Sequence, residues 1–136
     1  MSTPLKPSRI QKTGMEPGSL VYVGDANIKP IRITVFRYND KLCEEHHIQN
    51  VEALSEWKNH EDIIWINIDG VHDVALIERM GQIFELDSLS LEDMLNTHTR
   101  PKFDEYEGYV FCVIKDVFVE NDALLAEQMS FVLKDK

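Results

Sequence analysis

Hydrophobic and polar positions change period several times along the chain, and each change predicts an element. Residues 31–38 alternate: Ile31, Ile33 and Val35 point one way and Arg32, Thr34 and Phe36 the other, as in a half-buried strand. Asn39-Asp40-Lys41 supplies turn chemistry, so residues 42–48 read as the returning strand of a hairpin. Val51, Leu54 and Trp57 or Lys58 recur at helical spacing and predict a short helix. Residues 63–68 form a nearly continuous apolar, β-branched run, the pattern of a strand buried on both faces. Upstream, residues 20–23 read as a short strand closed by Gly24-Asp25.

The period then becomes helical. Asp73 is a good N-cap for a stripe of Val74, Ile77, Met80 or Gly81, and Phe84, running to about Glu85. Asp87 or Ser88 can cap a second helix over residues 89–96. Arg100-Pro101 stops it, because the residue before proline avoids the α region. Residues 102–105, 109–119 and 124–133 read as three strands, with Gly108 and Asn121-Asp122 marking the turns. Strands, then helices, then strands predict an α/β fold of the α+β kind. The expected form is a mixed parallel and antiparallel sheet with helices packed on it, layered like an αβα sandwich.

Composition adjusts this picture. A chain of 136 residues with 43% hydrophobic residues is long and apolar enough for one packed domain, and is not mainly disordered. Pro4, Pro7, Gly14, Pro17 and Gly18 make residues 1–19 read as a mobile arm, leaving residues 20–136 as one mixed domain. Asp and Glu number 24 against 14 Lys and Arg, a net charge of −10, which argues against nucleic acid as a partner. The sequence holds no apolar run of membrane-spanning length. The first fifteen residues lack the apolar segment of a secretory signal. Cys43 and Cys112 are too few for a disulfide framework and read as reduced thiols.

Candidate chemistry is sparse. Glu92 and Asp93 are adjacent on the second helix and splay by ~100° to neighbouring faces. A hard divalent ion wants about six oxygens, so this pair would need a partner from elsewhere; otherwise it is a solvated acidic face. His46 and His47 sit next to each other on a strand and point to opposite sides, so they cannot chelate one ion. Cys43 and His47 share a face but lie ~13 Å apart. Asp69, His72 and Asp73 cluster at a strand-to-helix junction, where a turn and a helix cap explain them as well as acid–base work does. His98, near Arg100, has no local acid or nucleophile. Trp57, Trp65, Phe84 and Tyr109 read as core residues, and no phosphate loop, dinucleotide fingerprint or nucleophile elbow is present. No catalytic residue is assigned and the chain is expected not to be an enzyme. Two alternatives stay open. One is a small metal-dependent hydrolase using Glu92, Asp93 and Asp69 or His72; the other is an assembly module that binds no ion.

Four stretches taken together resemble one family. They are Gly18-Ser19-Leu20-Val21-Tyr22-Val23-Gly24, Trp65-Ile66-Asn67-Ile68-Asp69-Gly70-Val71-His72, Leu91-Glu92-Asp93-Met94-Leu95-Asn96 running to Arg100-Pro101-Lys102, and Glu127-Gln128-Met129-Ser130-Phe131-Val132-Leu133. Their order and spacing are similar to those of the N-terminal cytoplasmic domain of CorA-type magnesium/cobalt transporters. The likeness runs from about residue 14 to the end. Glu16 departs from it, standing where relatives often have proline.

The resemblance implies a cation-sensing regulatory domain of a channel-like transporter. In such proteins the two acids at Glu92 and Asp93 meet an aspartate of a neighbouring subunit's stalk helix. Regulatory Mg2+, with Co2+ as the alternative, is then held between subunits and favours the closed state. It also implies a homopentamer in the inner membrane, with this domain on the cytoplasmic face. The stalk, the two membrane helices and the Gly-Met-Asn pore motif are expected beyond residue 136, since the sequence contains no Gly-Met-Asn.

Overall fold

The structure, a computed structural model, describes residues 14, 16–24 and 29–135. The expectation of a mobile arm at 1–19 therefore falls mostly outside the described residues. Within them the α+β class holds. The order is β1 (Arg32–Tyr38), β2 (Cys43–Ile48), a 3-10 helix (Val51–Trp57), β3 (Ile63–Asp69), α1 (Val74–Phe84), α2 (Ser88–Leu95), β4 (Lys102–Tyr106), β5 (Tyr109–Glu120) and β6 (Ala123–Lys134).

The strands form two separate three-stranded sheets rather than the single mixed one expected. Their orders are β2-β1-β3 and β4-β5-β6, and every pairing between these strands is antiparallel. For β1–β2, β4–β5 and β5–β6 the reason is a tight turn, which returns a chain only antiparallel to itself; β3 reaches β1 through a longer connection that contains the 3-10 helix. Asn39 accepts the Lys41 and Leu42 backbone N–H groups at 2.8 and 3.0 Å in the first hairpin. Gly108 takes φ +83° between β4 and β5. Asn121 and Asp122 both take positive φ, 50° and 61°, between β5 and β6; two such residues give the turn whose twist matches that of paired strands. The expected strand at 20–23 reduces to one parallel bridge, Val23 to Asn96. There the Val23 N–H donates to Leu95 O at 2.8 Å and Val23 O accepts from Thr97 N at 2.9 Å, so this segment lies along the end of α2.

The alternation over β1 orients the first sheet as read. Ile33 and Val35 face inward, opposite Ile68 and Ile66 of β3, while Phe36 lies opposite Trp65 on the outer face. The expectation that residues 63–68 are buried on both faces is corrected. β3 is an edge strand, and Ile63 and Trp65 are about half exposed, at 51% and 52%. An antiparallel sheet covers only one of its faces here, and a continuous apolar run does not say how many faces are covered.

Both helices start at the predicted caps. Asp73 Oδ1 accepts from Leu76 N at 3.0 Å, and Asp87 Oδ1 from Leu89 N at 2.8 Å. They join the two sheets through one core of Ile33, Val35, Leu54, Ile77, Met80, Leu91, Leu95 and Phe111, among others. α1 and α2 approach closely at Gly81, where an added Cβ would lie 2.4 Å from Leu91 Cδ1 and 3.1 Å from its Cγ. In an open helix, Gly→Ala stabilises by up to ~1 kcal/mol. At Gly81 the sign should reverse. Leu91 is buried and cannot retreat, so Gly81→Ala should cost ~1–3 kcal/mol, read as a lower urea midpoint at unchanged slope.

Candidate functional site

α2 carries the site because its apolar residues leave one polar face. Ser90, Leu91, Met94 and Leu95 are buried, which turns Glu92 and Asp93 toward the rim. The start of the helix is fixed from below: Asp87 N donates to the Tyr109 hydroxyl at 2.9 Å, and that hydroxyl lies 2.8 Å from Ser90 Oγ. The end is fixed by the second sheet. Gln128 Nε2 donates to Asp93 O at 3.1 Å and to Asn96 O at 2.9 Å. Gln128 Oε1 accepts from Lys115 Nζ at 2.9 Å, and the same ammonium donates to Thr97 O at 2.8 Å. Burial pushes the Lys115 ammonium below the usual lysine range.

Glu92 and Asp93 are both half-buried and reach different partners, as their splay requires. Glu92 Oε2 accepts from the Gly18 backbone N–H at 2.8 Å, tying residues ahead of the first sheet onto α2. Asp93 Oδ2 lies 2.5 Å from Lys102 Nζ, and the same nitrogen lies 2.6 Å from Asp104 Oδ2. The Arg100-Pro101 break returns the chain so that β4 begins beside α2 and makes this possible. Burial works to lower the Lys102 pKa, but hydrogen bonds to Asp104 and Asp93 outweigh it and carry it above the usual lysine range. The stability linked to the Lys102 proton is therefore fully present below the ordinary value of 10.5 and is lost as pH rises past a still more alkaline one.

These groups line an open depression of about 480 Å³, bounded by Leu89, Glu92, Asp93, Lys102, Asp104, Glu105 and Tyr106. Four carboxylate residues line it together with Lys102, whose ammonium pairs with Asp93 and Asp104. Oxygen donors of this kind suit a hard divalent cation, and Asp93 already holds a cation in the form of Lys102. Among the described residues, no three His, Cys, Asp or Glu side chains converge as a metal-holding group.

The other candidates lie elsewhere. Asp69 pairs with Arg32 at 3.0 Å and accepts from Asn67 Nδ2 at 3.0 Å; Asp73 caps α1; the His72 ring lies 6.2 Å from that of Tyr22. Neither Asp69 nor His72 lines the depression, so the convergence that a hydrolase would need is not made. His46 turns inward, 4.8 Å from the Trp57 ring, while His47 is exposed beside Glu45. The His98 backbone N–H donates to Asn96 Oδ1. Gly18, Lys102 and Gln128 fall within the four quoted stretches, but as partners of α2 they are not identifiable from sequence spacing.

Residues 60–136 match the family described as CorA-like Mg2+ transporter protein. The chain belongs to that family. It is also 36% identical over 124 residues to the cobalt/magnesium transport protein CorA of Thermotoga maritima, an alignment that covers 90% of this chain and 35% of that protein. The CorA-like chain thus spans about a third of the length of the relative it matches. The family match takes in β3, both helices and the whole second sheet, so Asp93, Lys102, Asp104 and Gln128 all lie in the shared part. None of the helices among the described residues is long and apolar enough to cross a membrane.

Proposed function

We propose that this chain is the cytoplasmic, metal-responsive domain of a Mg2+/Co2+ transporter, and that Glu92 and Asp93 are its sensing acids. The observation that carries the reading is the placement of both carboxylates, held by α2, on the rim of an open acidic depression. Among the described residues they meet too few converging partners for a divalent ion, so a neighbouring subunit of a homopentamer completes the oxygen set. The domain performs no catalysis, and further parts of the protein carry it at the inner membrane.

Repulsion between acids of adjacent subunits supplies the response. Two like unit charges 4 Å apart repel by ~4 kcal/mol at an effective dielectric of ~20. With regulatory Mg2+ or Co2+ abundant, Glu92 and Asp93 share it across the boundary and the closed arrangement is favoured. When it is scarce, the unshielded acids push the subunits apart and the attached pore opens. The ion biases the two states only through its difference in affinity for them.

Protease protection of the whole transporter across a Mg2+ titration tests this. Wild type should become protected as Mg2+ rises. The double substitution Glu92→Ala/Asp93→Ala should need at least tenfold more Mg2+, a loss of about 1.4 kcal/mol or more of coupling. Protection at an unchanged Mg2+ concentration would remove these acids from the sensor.

A further inference from the structure

The depression is not a bare acidic cluster, because a cation of the protein's own sits in it. Lys102 Nζ lies within hydrogen-bonding distance of Asp93 and Asp104 at once, 2.5 and 2.6 Å away. The ammonium is also held from below, 5.8 Å from the centre of the fully buried Phe111 ring. With 33% of its side chain exposed, Lys102 lines the same depression as the Asp93 it pairs with. A divalent cation that reaches Asp93 from the depression therefore competes with this ammonium for the same carboxylate.

We infer that Lys102 is a built-in competitor for the sensing site: its ammonium neutralises Asp93 when no divalent cation is bound and must swing aside for one to bind. The inference rests on the sensing role proposed for Asp93. Asp104 makes the exchange feasible. Lys102 can release Asp93 and stay paired to Asp104, so the displaced ammonium is never left without a counter-charge. The Asp93 pair keeps partial contact with solvent, 33% and 24% of the two side chains being exposed, so water can take part in the exchange. Its effect is to set a threshold. Monovalent cations at physiological concentration gain little by replacing an ammonium already in place. A doubly charged ion gains more from Asp93 and its neighbours than the ammonium does. Lys102 is a positioning residue in this scheme; it touches the sensing carboxylate and ligates no metal.

The test is the same Mg2+ titration of the whole transporter, followed by protease protection. Lys102→Met should lower the Mg2+ concentration for half-protection roughly fivefold, the scale of one surface ion pair. Lys102→Arg keeps the charge and should stay near wild type. Lys41→Met removes the same charge from the exposed β1–β2 turn and should not move the midpoint. If methionine at 102 prevents assembly, Lys102→Gln carries the test, because it removes the charge while keeping a polar side chain with N–H donors. An unchanged or raised midpoint in the uncharged variants would overturn the competitor role. So would an equal shift in Lys41→Met, which would make the effect one of overall charge. Glu92→Ala/Asp93→Ala is run alongside. If it raises the midpoint while Lys102→Met does nothing, the competitor fails and the sensor stands. If the double variant does not move either, the sensor fails and the competitor with it.

Discussion

Replacing Phe111 with alanine should destabilise the domain by about 3–5 kcal/mol. The ring is fully buried in the middle of the second sheet, on β5, with Asp104 of β4 and Val132 of β6 as its strand neighbours. Tyr109 and Val113 flank it on the same face, and all three belong to the core shared with α1 and α2. Strands on both sides hold the backbone in place, so the site cannot collapse to refill the space, and the cavity term adds to the lost transfer free energy. Domains of this size hold ~5–15 kcal/mol in total, so the variant should be close to unfolding at room temperature. Phe111→Leu keeps most of the volume and should cost under ~1.5 kcal/mol. Urea unfolding would check both, followed by circular dichroism and by tryptophan fluorescence. Trp65 belongs to β3 of the other sheet and Trp57 to the 3-10 helix between β2 and β3. Because one core joins the sheets, the two signals should move together; a fluorescence midpoint that stayed put while circular dichroism shifted would show two separate units.

Local elements were legible in the sequence because short-range physics decides them. The period-two pattern of β1 assigned its inner and outer residues, since side chains on a strand alternate whatever lies on either face. Asp73 and Asp87 announced their helices because an unpaired backbone N–H at a helix start needs an acceptor one turn away. Pairings across long stretches of chain were not legible. The Gly18 N–H meets Glu92 across 74 positions, and Gln128 meets Asp93 across 35; no spacing rule covers such distances. The apolar run in β3 misleads for a similar reason. Its composition is that of a buried strand, but whether a layer covers Trp65 depends on elements far from it in sequence. The 3-10 geometry of Val51–Trp57 was equally hidden: the segment is seven residues long, too short for its apolar spacing to separate 3.0 from 3.6 residues per turn. At the site, the acids were readable as a motif and their splay as helix geometry, whereas the ammonium beside Asp93 emerges only when β4 returns to α2.

Gln128→Met should loosen α2, the helix that carries the proposed sensing acids, at a cost of about 2–4 kcal/mol. The substitution keeps the length and much of the shape of the side chain and removes its hydrogen bonds. Its Nε2 serves two carbonyls at the end of α2, those of Asp93 and Asn96, where helices leave acceptors without intrahelical donors. Its Oε1 is one of two acceptors for the Lys115 ammonium, whose charged form burial already disfavours. Weaker or shared donors remain for the two carbonyls, Thr99 Oγ1 for Asp93 O at 3.4 Å and Thr99 N for Asn96 O at 3.1 Å. The loss should therefore fall short of two fully orphaned groups plus an unpaired charge. It should also be local. Amide exchange should accelerate first at Asn96, whose N–H bonds Glu92 O, and at Val23, whose N–H bonds Leu95 O, before the β5–β6 hairpin is affected. Uniform acceleration across the domain would mean that Gln128 supports the whole core and not the end of α2. Localised acceleration, together with a raised Mg2+ requirement in the whole transporter, would tie the stiffness of α2 to the placement of Glu92 and Asp93. In the proposed sensing role, the acids discriminate between two subunit arrangements only if the helix that carries them keeps its position in both.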